Sequence, residues 1–242
     1  MKITCLLPTY NRYPEQIHLV NEAVNSFLIQ NYEDKELIIC NDTPGQFLHF
    51  SHPSVKVLNV PDRFESLTHK LRFMIAHAEG DAFCRWDDDD ISMPWRLSFS
   101  AMRMADKDEW RCENHYFWNV NRIVKMTQFP GNSHNMSIWS RKVLGKFGNG
   151  YPMHLHAMGD EDQVFNRTLV RLGYPLNGEV INPRMMFYIY RWNISHNHLS
   201  LNKNEWNRIG DKPIVAGDVV LEPRWQQNYV KLAIEFLKAS NL

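Results

Sequence analysis

The chain is predicted to be an α/β protein built on a mostly parallel, Rossmann-like central sheet flanked by helices. Short β-rich apolar runs alternate with stretches of helical apolar spacing through the first ninety residues, the pattern of strand–helix–strand units with right-handed crossovers. Polar residues follow each apolar run where it ends, as they do at the carboxyl edge of an open α/β sheet. Beyond residue 110 the alternation stops, and Arg111 to Gln128 is rich in aromatic and β-like residues without strong periodicity. That part predicts a small antiparallel extension.

Ile3 to Leu7 is the first strand, and it runs into Pro8-Thr9-Tyr10-Asn11-Arg12. Glu15 to Gln30 then carries Ile17, Val20, Val24, Phe27 and Leu28 at helical spacing. Leu37-Ile38-Ile39-Cys40 is a second buried strand, closed by the turn-forming Asn41-Asp42-Thr43-Pro44-Gly45. Val55 to Val60 is the third strand. Ser66 to Ala78 is a helix with Leu67, Leu71, Met74, Ile75 and Ala78 on its apolar face, and Gly80 is expected to stop it. Ala82 to Trp86 is the fourth strand.

Asp87-Asp88-Asp89-Asp90 follows directly. Four adjacent carboxylates repel and raise one another's pKa, so keeping them ionised requires water, basic side chains or a divalent cation. The strand before them and Pro94 after them place the acids at the carboxyl end of a strand, where such sheets bind ligands. A solvated acidic turn is the plain alternative. Asp90 or Ser92 is a candidate cap for the helix that Pro94 opens. Thr9, Asn11, Asn41, Asp42 and the four acids are expected to converge on one edge of the sheet.

Farther on, Ser140 in Asn135-Met136-Ser137-Ile138-Trp139-Ser140-Arg141 is placed to cap a helix. Gly159-Asp160-Glu161-Asp162-Gln163 precedes Phe165, Leu169 and Leu172, so acids sit at the start of an amphipathic helix, where the helix dipole favours them. Met186 to Trp192 reads as a late strand, followed by a loop with His196 and His198. Trp225, Tyr229, Leu232, Ala233 and Phe236 form an apolar stripe within Pro223 to Ala239, the mark of a docking helix.

The 242 residues suit one large domain. Lys plus Arg equals Asp plus Glu at 27 each, so global charge does not point to nucleic acid or an acidic membrane. Cys5, Cys40, Cys84 and Cys112 lack metal-ribbon spacing and read as buried thiols. The opening residues hold too short an apolar run for a signal peptide, and no run of roughly eighteen apolar residues occurs. A cytoplasmic protein is expected, with peripheral membrane attachment left open. Neither a Gly-x-Gly-x-x-Gly fingerprint nor a Walker Gly-Lys-Ser/Thr signature is present in the amino half. Eight Trp, nine Tyr and thirteen Phe offer surfaces on which sugars or bases could stack.

Three of these segments carry a resemblance. Pro8-Thr9-Tyr10-Asn11-Arg12, Leu37-Ile38-Ile39-Cys40-Asn41-Asp42 and Asp87-Asp88-Asp89-Asp90-Ile91 with Pro94 together resemble the opening loop, second-strand motif and Asp-x-Asp segment of the family 2 glycosyltransferases of the GT-A fold. The Asn135 to Arg141 segment is similar to the one before that family's acceptor-side helix. The resemblance covers most of the chain and implies one GT-A-like domain, with residues 1–110 as the nucleotide-sugar-binding half and 111–242 as the acceptor-binding half with the carboxyl-terminal helix. It implies that Asp42 contacts the nucleobase beside Pro8 and Thr9, that Asp87 or Asp88 reaches the ribose, and that Asp89 binds the metal. Asn11, Arg12, Lys70 and Arg72 are candidate donor contacts. Asp162, or else Glu161, would take the acceptor proton. His198, with His196 as the alternative, would complete the metal shell; if that loop closes over the donor, Tyr190, Arg191 and Trp192 would pack or pair near the pyrophosphate.

The metal implied is Mn²⁺ or Mg²⁺, which oxygen ligands favour and which neutralises a pyrophosphate leaving group. A lone base carboxylate implies direct displacement with inversion. The expected donor is a UDP-sugar, carrying a hexose or pentose, and the acceptor a hydroxyl on a glycan, a lipid-linked sugar or a modified nucleobase. Two rival readings share these acids: a metal-dependent nucleotidyltransferase, and a non-catalytic module that binds nucleotide sugars.

Overall fold

The computed structural model describes residues 1–119, 122–127, 134–146, 161–192 and 213–240. The four predicted strands of the amino half all form: β1 (Ile3–Thr9), β2 (Lys35–Asn41), β4 (Val55–Asn59) and β5 (Ala82–Arg85), with the unforeseen β3 (Gln46–His49) between β2 and β4. β5 and the short β6 (Ile91–Ser92) flank the acidic turn, and β7 (Glu109–Cys112), β8 (Asn114–Asn119), β9 (Arg122–Thr127) and β10 (Ser137–Ser140) follow. β11 (Gly178–Glu179), β12 (Tyr188–Trp192) and β13 (Gly217–Val220) complete the described strands. The described helices are α1 (Ile17–Leu28), α2 (Leu67–Ala76), α3 (Arg96–Met104), α4 (Arg141–Gly145), α5 (Glu161–Arg171) and α6 (Tyr229–Ala239).

The main sheet has seven strands in the order β11-β7-β10-β5-β1-β2-β4. β1 pairs parallel with β2 and β5, and β2 pairs parallel with β4, as the strand–helix alternation requires. β10 is antiparallel to both of its neighbours. The predicted antiparallel extension exists as the β8–β9 hairpin, but it belongs to a mixed four-stranded sheet, β6-β12-β8-β9, in which β12 joins parallel to β8. β3 pairs with β13, drawn from the far end of the chain. A four-residue strand whose partner lies so far away leaves no local signature.

The apolar core lies on both faces of the main sheet, which explains why β1, β2 and β5 are apolar almost without interruption. Side chains alternate between the faces with the strand period of two. Cys5, Leu7, Leu37 and Ile39 meet Val20, Val24 and Phe27 of α1, in a cluster that also holds Leu97 of α3 and Tyr229 and Ala233 of α6. Leu6, Ile38, Cys40 and Phe83 meet Leu71 and Met74 of α2, Val143 of α4 and Phe165 and Leu169 of α5. The four cysteines are buried and unbridged, as expected. The carboxyl-terminal stripe docks on the second sheet, with the Phe236 ring against Tyr116 at 6.0 Å and Tyr229 against Trp118 at 6.2 Å.

Gly80 corrects one expectation. α2 ends at Ala76, and Gly80 does not adopt the left-handed conformation of a helix cap. A Cβ on Gly80 would lie 2.3 Å from Thr4 Oγ1 and 2.8 Å from Thr4 N. Glycine is required there because the chain passes flush against β1, not because it ends a helix. Among the described residues, no helix is long and apolar enough to cross a membrane.

Candidate functional site

The ends of β1 and β2 and the turn after β5 meet on one rim of the main sheet. Asn11 takes a left-handed backbone, φ 48°, which asparagine tolerates better than most residues. Its N–H donates to Thr43 Oγ1 at 2.7 Å, tying the loop after β1 to the loop after β2. Asn41 donates from Nδ2 to the Gln46 carbonyl at 2.8 Å and accepts from Thr43 N–H at 3.2 Å. A carboxylate could not make the first of these bonds, so an amide is the side chain that suits this place.

Asp42 is 1% exposed. Lys70, on α2, donates to Asp42 Oδ1 and to the Thr9 carbonyl, both at 2.6 Å, and Phe64 N–H donates to Asp42 Oδ2 at 3.0 Å. The predicted base contact is thus engaged by the protein on both oxygens, although each oxygen retains acceptor capacity. The Arg63 guanidinium lies 4.3 Å from the centre of the Tyr10 ring, beside this pair. Arg72 lies two positions beyond Lys70 in α2 and so projects about 200° round the helix from it.

The four acids have separate fates. Arg12 donates from Nε and Nη2 to the two oxygens of Asp88, at 2.8 and 2.6 Å, and from Nη2 to Asp89 Oδ2 at 3.1 Å. Burial pushes the Asp88 carboxyl up, but Arg12, with help from the Thr9 hydroxyl, outweighs it and holds the group below the usual carboxylate range. Asp87 pairs with Arg85 at 2.9 Å. Asp90 is not a helix cap: it accepts from the Arg191 N–H at 2.7 Å and is hydrogen-bonded to the Tyr188 hydroxyl. α3 begins at Arg96 without a side-chain cap, because both candidate caps are otherwise engaged: Ser92 Oγ accepts from Arg96 Nη1 at 2.8 Å.

The Tyr188 hydroxyl also lies 3.1 Å from Asp87 Oδ2. One hydroxyl proton cannot serve two carboxylates. Burial first, then the charges of Asp89 and Asp87, raises Asp90 well above the ordinary range. Asp90 is therefore the acid of the turn that burial and its neighbours make readiest to bind a proton, which it could share with Tyr188. Asn135 joins this cluster by donating to the Tyr188 hydroxyl at 3.3 Å.

α5 carries the candidate base. Phe165, Asn166 and Leu169 form its buried face, and Asp162 stands one turn before Asn166 on that same face. Arg111 reaches from β7 to Asn166 Oδ1 at 2.9 Å and is paired with Glu109 at 2.5 Å, both fully buried, so the helix is tied to the main sheet. Asp162 Oδ1 accepts from Gln163 N–H at 2.7 Å. Glu161 opens the helix. His196 and His198 lie outside the described residues. The Arg191 guanidinium is held in the core by Glu22 and Tyr229.

Ser140 caps α4 as expected, accepting from Val143 N–H at 3.4 Å. Tyr188, Arg85, Arg63 and Glu22 are site neighbours that sequence reasoning missed. No local pattern marks Tyr188, which stands 98 residues from Asp90.

His115, 1% exposed on β8, packs against the Tyr188 and Tyr190 rings at 6.4 and 6.1 Å. Burial lowers its pKa from 6.5 to about 4. Between those pH values the unfolded chain binds a proton that the folded chain refuses, so stability falls as pH falls through that window. This group contributes up to about 1.4 kcal/mol per pH unit. Urea unfolding at pH 6.5, 5.5 and 4.5 is expected to show a shallower decline for His115→Phe than for the parent. The decline will not vanish, because buried His134 is lowered in the same direction.

Residues 4–109 match the family model for Glycosyl transferase family 2. The Bacillus subtilis (strain 168) protein EpsE, named as a glycosyltransferase, is 34% identical over 83 residues, covering 31% of this chain and 30% of that one. The S. aureus TarS 1–349 structure in complex with UDP-GlcNAc superposes with a TM-score of 0.62 at 17% identity, over 84% of this chain and 61% of that one. The mannosyltransferase PcManGT from Pyrobaculum calidifontis, in complex with GDP-Man and Mn²⁺, gives 0.57 at 13% identity, over 88% and 66%. The chain thus spans less than a third of EpsE and about three-fifths of TarS 1–349. At such identities the structural likeness is one of fold, and it agrees with the mainly parallel sheet and its flanking helices. The matched segment runs from β1 to the start of β7 and contains the whole converging rim, so over residues 4–109 the chain is similar to glycosyl transferase family 2.

Proposed function

We propose that this protein is a metal-dependent, inverting glycosyltransferase that moves a sugar from a UDP-linked donor to an acceptor hydroxyl. The observation that carries the reading is the convergence of Asp42 and the acidic turn on one sheet rim, at the carboxyl ends of β2 and β5. The ligands named with the neighbouring structures, UDP-GlcNAc and GDP-Man with Mn²⁺, support a nucleotide-sugar donor.

A divalent cation suits the donor set. Among the described residues, no three His, Cys, Asp or Glu side chains come together as a ready-made cage. A hard cation that brings phosphate oxygens and water needs only one or two carboxylates. Asp87 and Asp89, with side chains 15% and 11% exposed, are more open than Asp88 at 8%. Asp89, with Asp87 beside it, would hold the ion. When bound, the metal supplies positive charge that stabilises the departing diphosphate. Arg12 orients Asp88 and Asp89, Lys70 orients Asp42 toward the base, and Asp162 receives the acceptor hydroxyl proton. The acceptor class is a hydroxyl on a glycan, a lipid-linked sugar or a modified nucleobase.

Incubation with Mn²⁺ and a panel of UDP-, GDP- and dTDP-sugars is expected to release a nucleoside diphosphate slowly even without acceptor. Release of sugar phosphate would instead indicate nucleotidyl transfer, and no release from any donor would sink the proposal. Within the turn, Asp89→Ala is expected to remove at least about tenfold of the Mn²⁺-dependent UDP affinity measured by calorimetry. Unchanged metal-dependent binding would take the metal away from Asp89.

A further inference from the structure

The acidic turn is gripped from behind by a residue a hundred positions away. Arg191, on β12, donates from Nε to the Asp89 carbonyl, and its backbone N–H donates to Asp90 Oδ1 at 2.7 Å. Its Nη1 is held by Glu22 Oε2 at 2.5 Å and by the Tyr229 hydroxyl at 2.9 Å. Arg191 is 0% and Glu22 1% exposed. The second oxygen of Glu22 accepts the Gln226 N–H at 3.0 Å. One carboxylate on α1 therefore ties the arginine to the segment that leads into α6.

We propose that Arg191, aligned by Glu22 and Tyr229, is a positioning residue that sets the backbone of the acidic turn, which makes the carboxyl-terminal segment 221–239 a working part of the nucleotide site. The importance of the turn rests on the function proposed above. Three observations favour it. A buried ion pair is an inefficient way to gain stability, since hydrophobic residues of equal volume often serve as well. The guanidinium is planar and permanently charged, so its Nε–H and Nη1–H fix the Asp89 carbonyl relative to Glu22 in both direction and distance. β12 also pairs with β6, with Ile189 opposite Ile91, so the strand that carries Arg191 runs beside the residues that leave the turn. Arg191 and Tyr229 lie outside the matched segment 4–109. The rim contained in that segment is thus completed by residues beyond it.

Two variants test this in the full chain. Glu22→Gln keeps shape and hydrogen bonding but removes the charge that aligns Arg191, and Tyr229→Phe removes one hydroxyl. Amide hydrogen exchange without ligand is expected to quicken about tenfold across residues 87–92 in Glu22→Gln and severalfold in Tyr229→Phe, while β2 and β4 keep the parent's protection. Exchange that quickens equally in all strands would mark a merely structural pair and overturn the proposal, as would an unchanged turn. If Glu22→Gln does not fold, Tyr229→Phe decides. With Mn²⁺ and UDP as the probe, both variants are expected to bind more weakly than the parent, and parent-like binding in both would count against the inference. A parent that binds no UDP with Mn²⁺ would refute the assignment of the site, while the exchange result would still decide the role of Arg191.

Discussion

Asp162→Asn is expected to bind donor with near-parent affinity and to transfer its sugar at least about a hundredfold more slowly. The substitution keeps size and hydrogen-bonding capacity but removes proton acceptance, and general-base catalysis contributes on this scale. Asp162 stands one turn before Asn166 in α5, and the Arg111–Asn166 bond ties that helix to the main sheet. Glu161→Gln is expected to be the lesser lesion. If the acids serve only the helix dipole, both variants would lose about 1 kcal/mol or less of stability and keep their turnover. Donor dissociation constants and single-turnover transfer rates separate the outcomes: a fully active Asp162→Asn enzyme excludes Asp162 as the base, and an inactive Glu161→Gln enzyme moves the base one residue earlier.

Arg12→Met is expected to be the most destabilising single change at the site, costing about 3–5 kcal/mol in the ligand-free protein, because it strands two buried carboxylates. Arg12 is 5% exposed and its partners Asp88 and Asp89 are 6% and 8% exposed, so little solvent is available to replace it. For a chain of this length, a loss of that size lowers the melting temperature by roughly 10 °C or more. The pH dependence follows from sign. In the parent, Asp88 is held below its unfolded value, so its contribution is present above the ordinary carboxylate pKa and is lost as pH falls through the lowered folded value. Without Arg12, burial and the neighbouring acids raise Asp88, and protonation relieves the variant as pH falls. The gap between parent and variant should therefore narrow toward pH 4 in parallel thermal melts. A gap that stays constant with pH would mean that the guanidinium acts through packing alone.

Much of the rim was legible in the residues. β1, β2 and β5 announce themselves as short apolar runs, and α1 and α2 by their 3.6-residue period, because both signals are local. The alternation of these elements then orders the strands, so the convergence of Asp42 and the acidic turn could be read before any fold was known. Less legible was the work done by each acid. Asp90 stands where a helix cap could stand, yet Tyr188 and the Arg191 N–H claim it from a strand that forms only when the second sheet assembles. Gly80 reads as a helix stop and is instead a close approach to Thr4.

By itself the sequence determined the parallel amino-terminal sheet, its buried thiols and the rim on which the acids gather, since these depend on side-chain period and on which residues end each strand. Only the tertiary structure decided which distant cation each acid keeps: Arg12 for Asp88 and Asp89, and Lys70 for Asp42. The physical reason is distance along the chain. The Arg12–Asp88 pair closes a loop of 76 residues and the Lys70–Asp42 pair one of 28, and no local propensity encodes a contact that exists only once the sheet has brought its strand ends together.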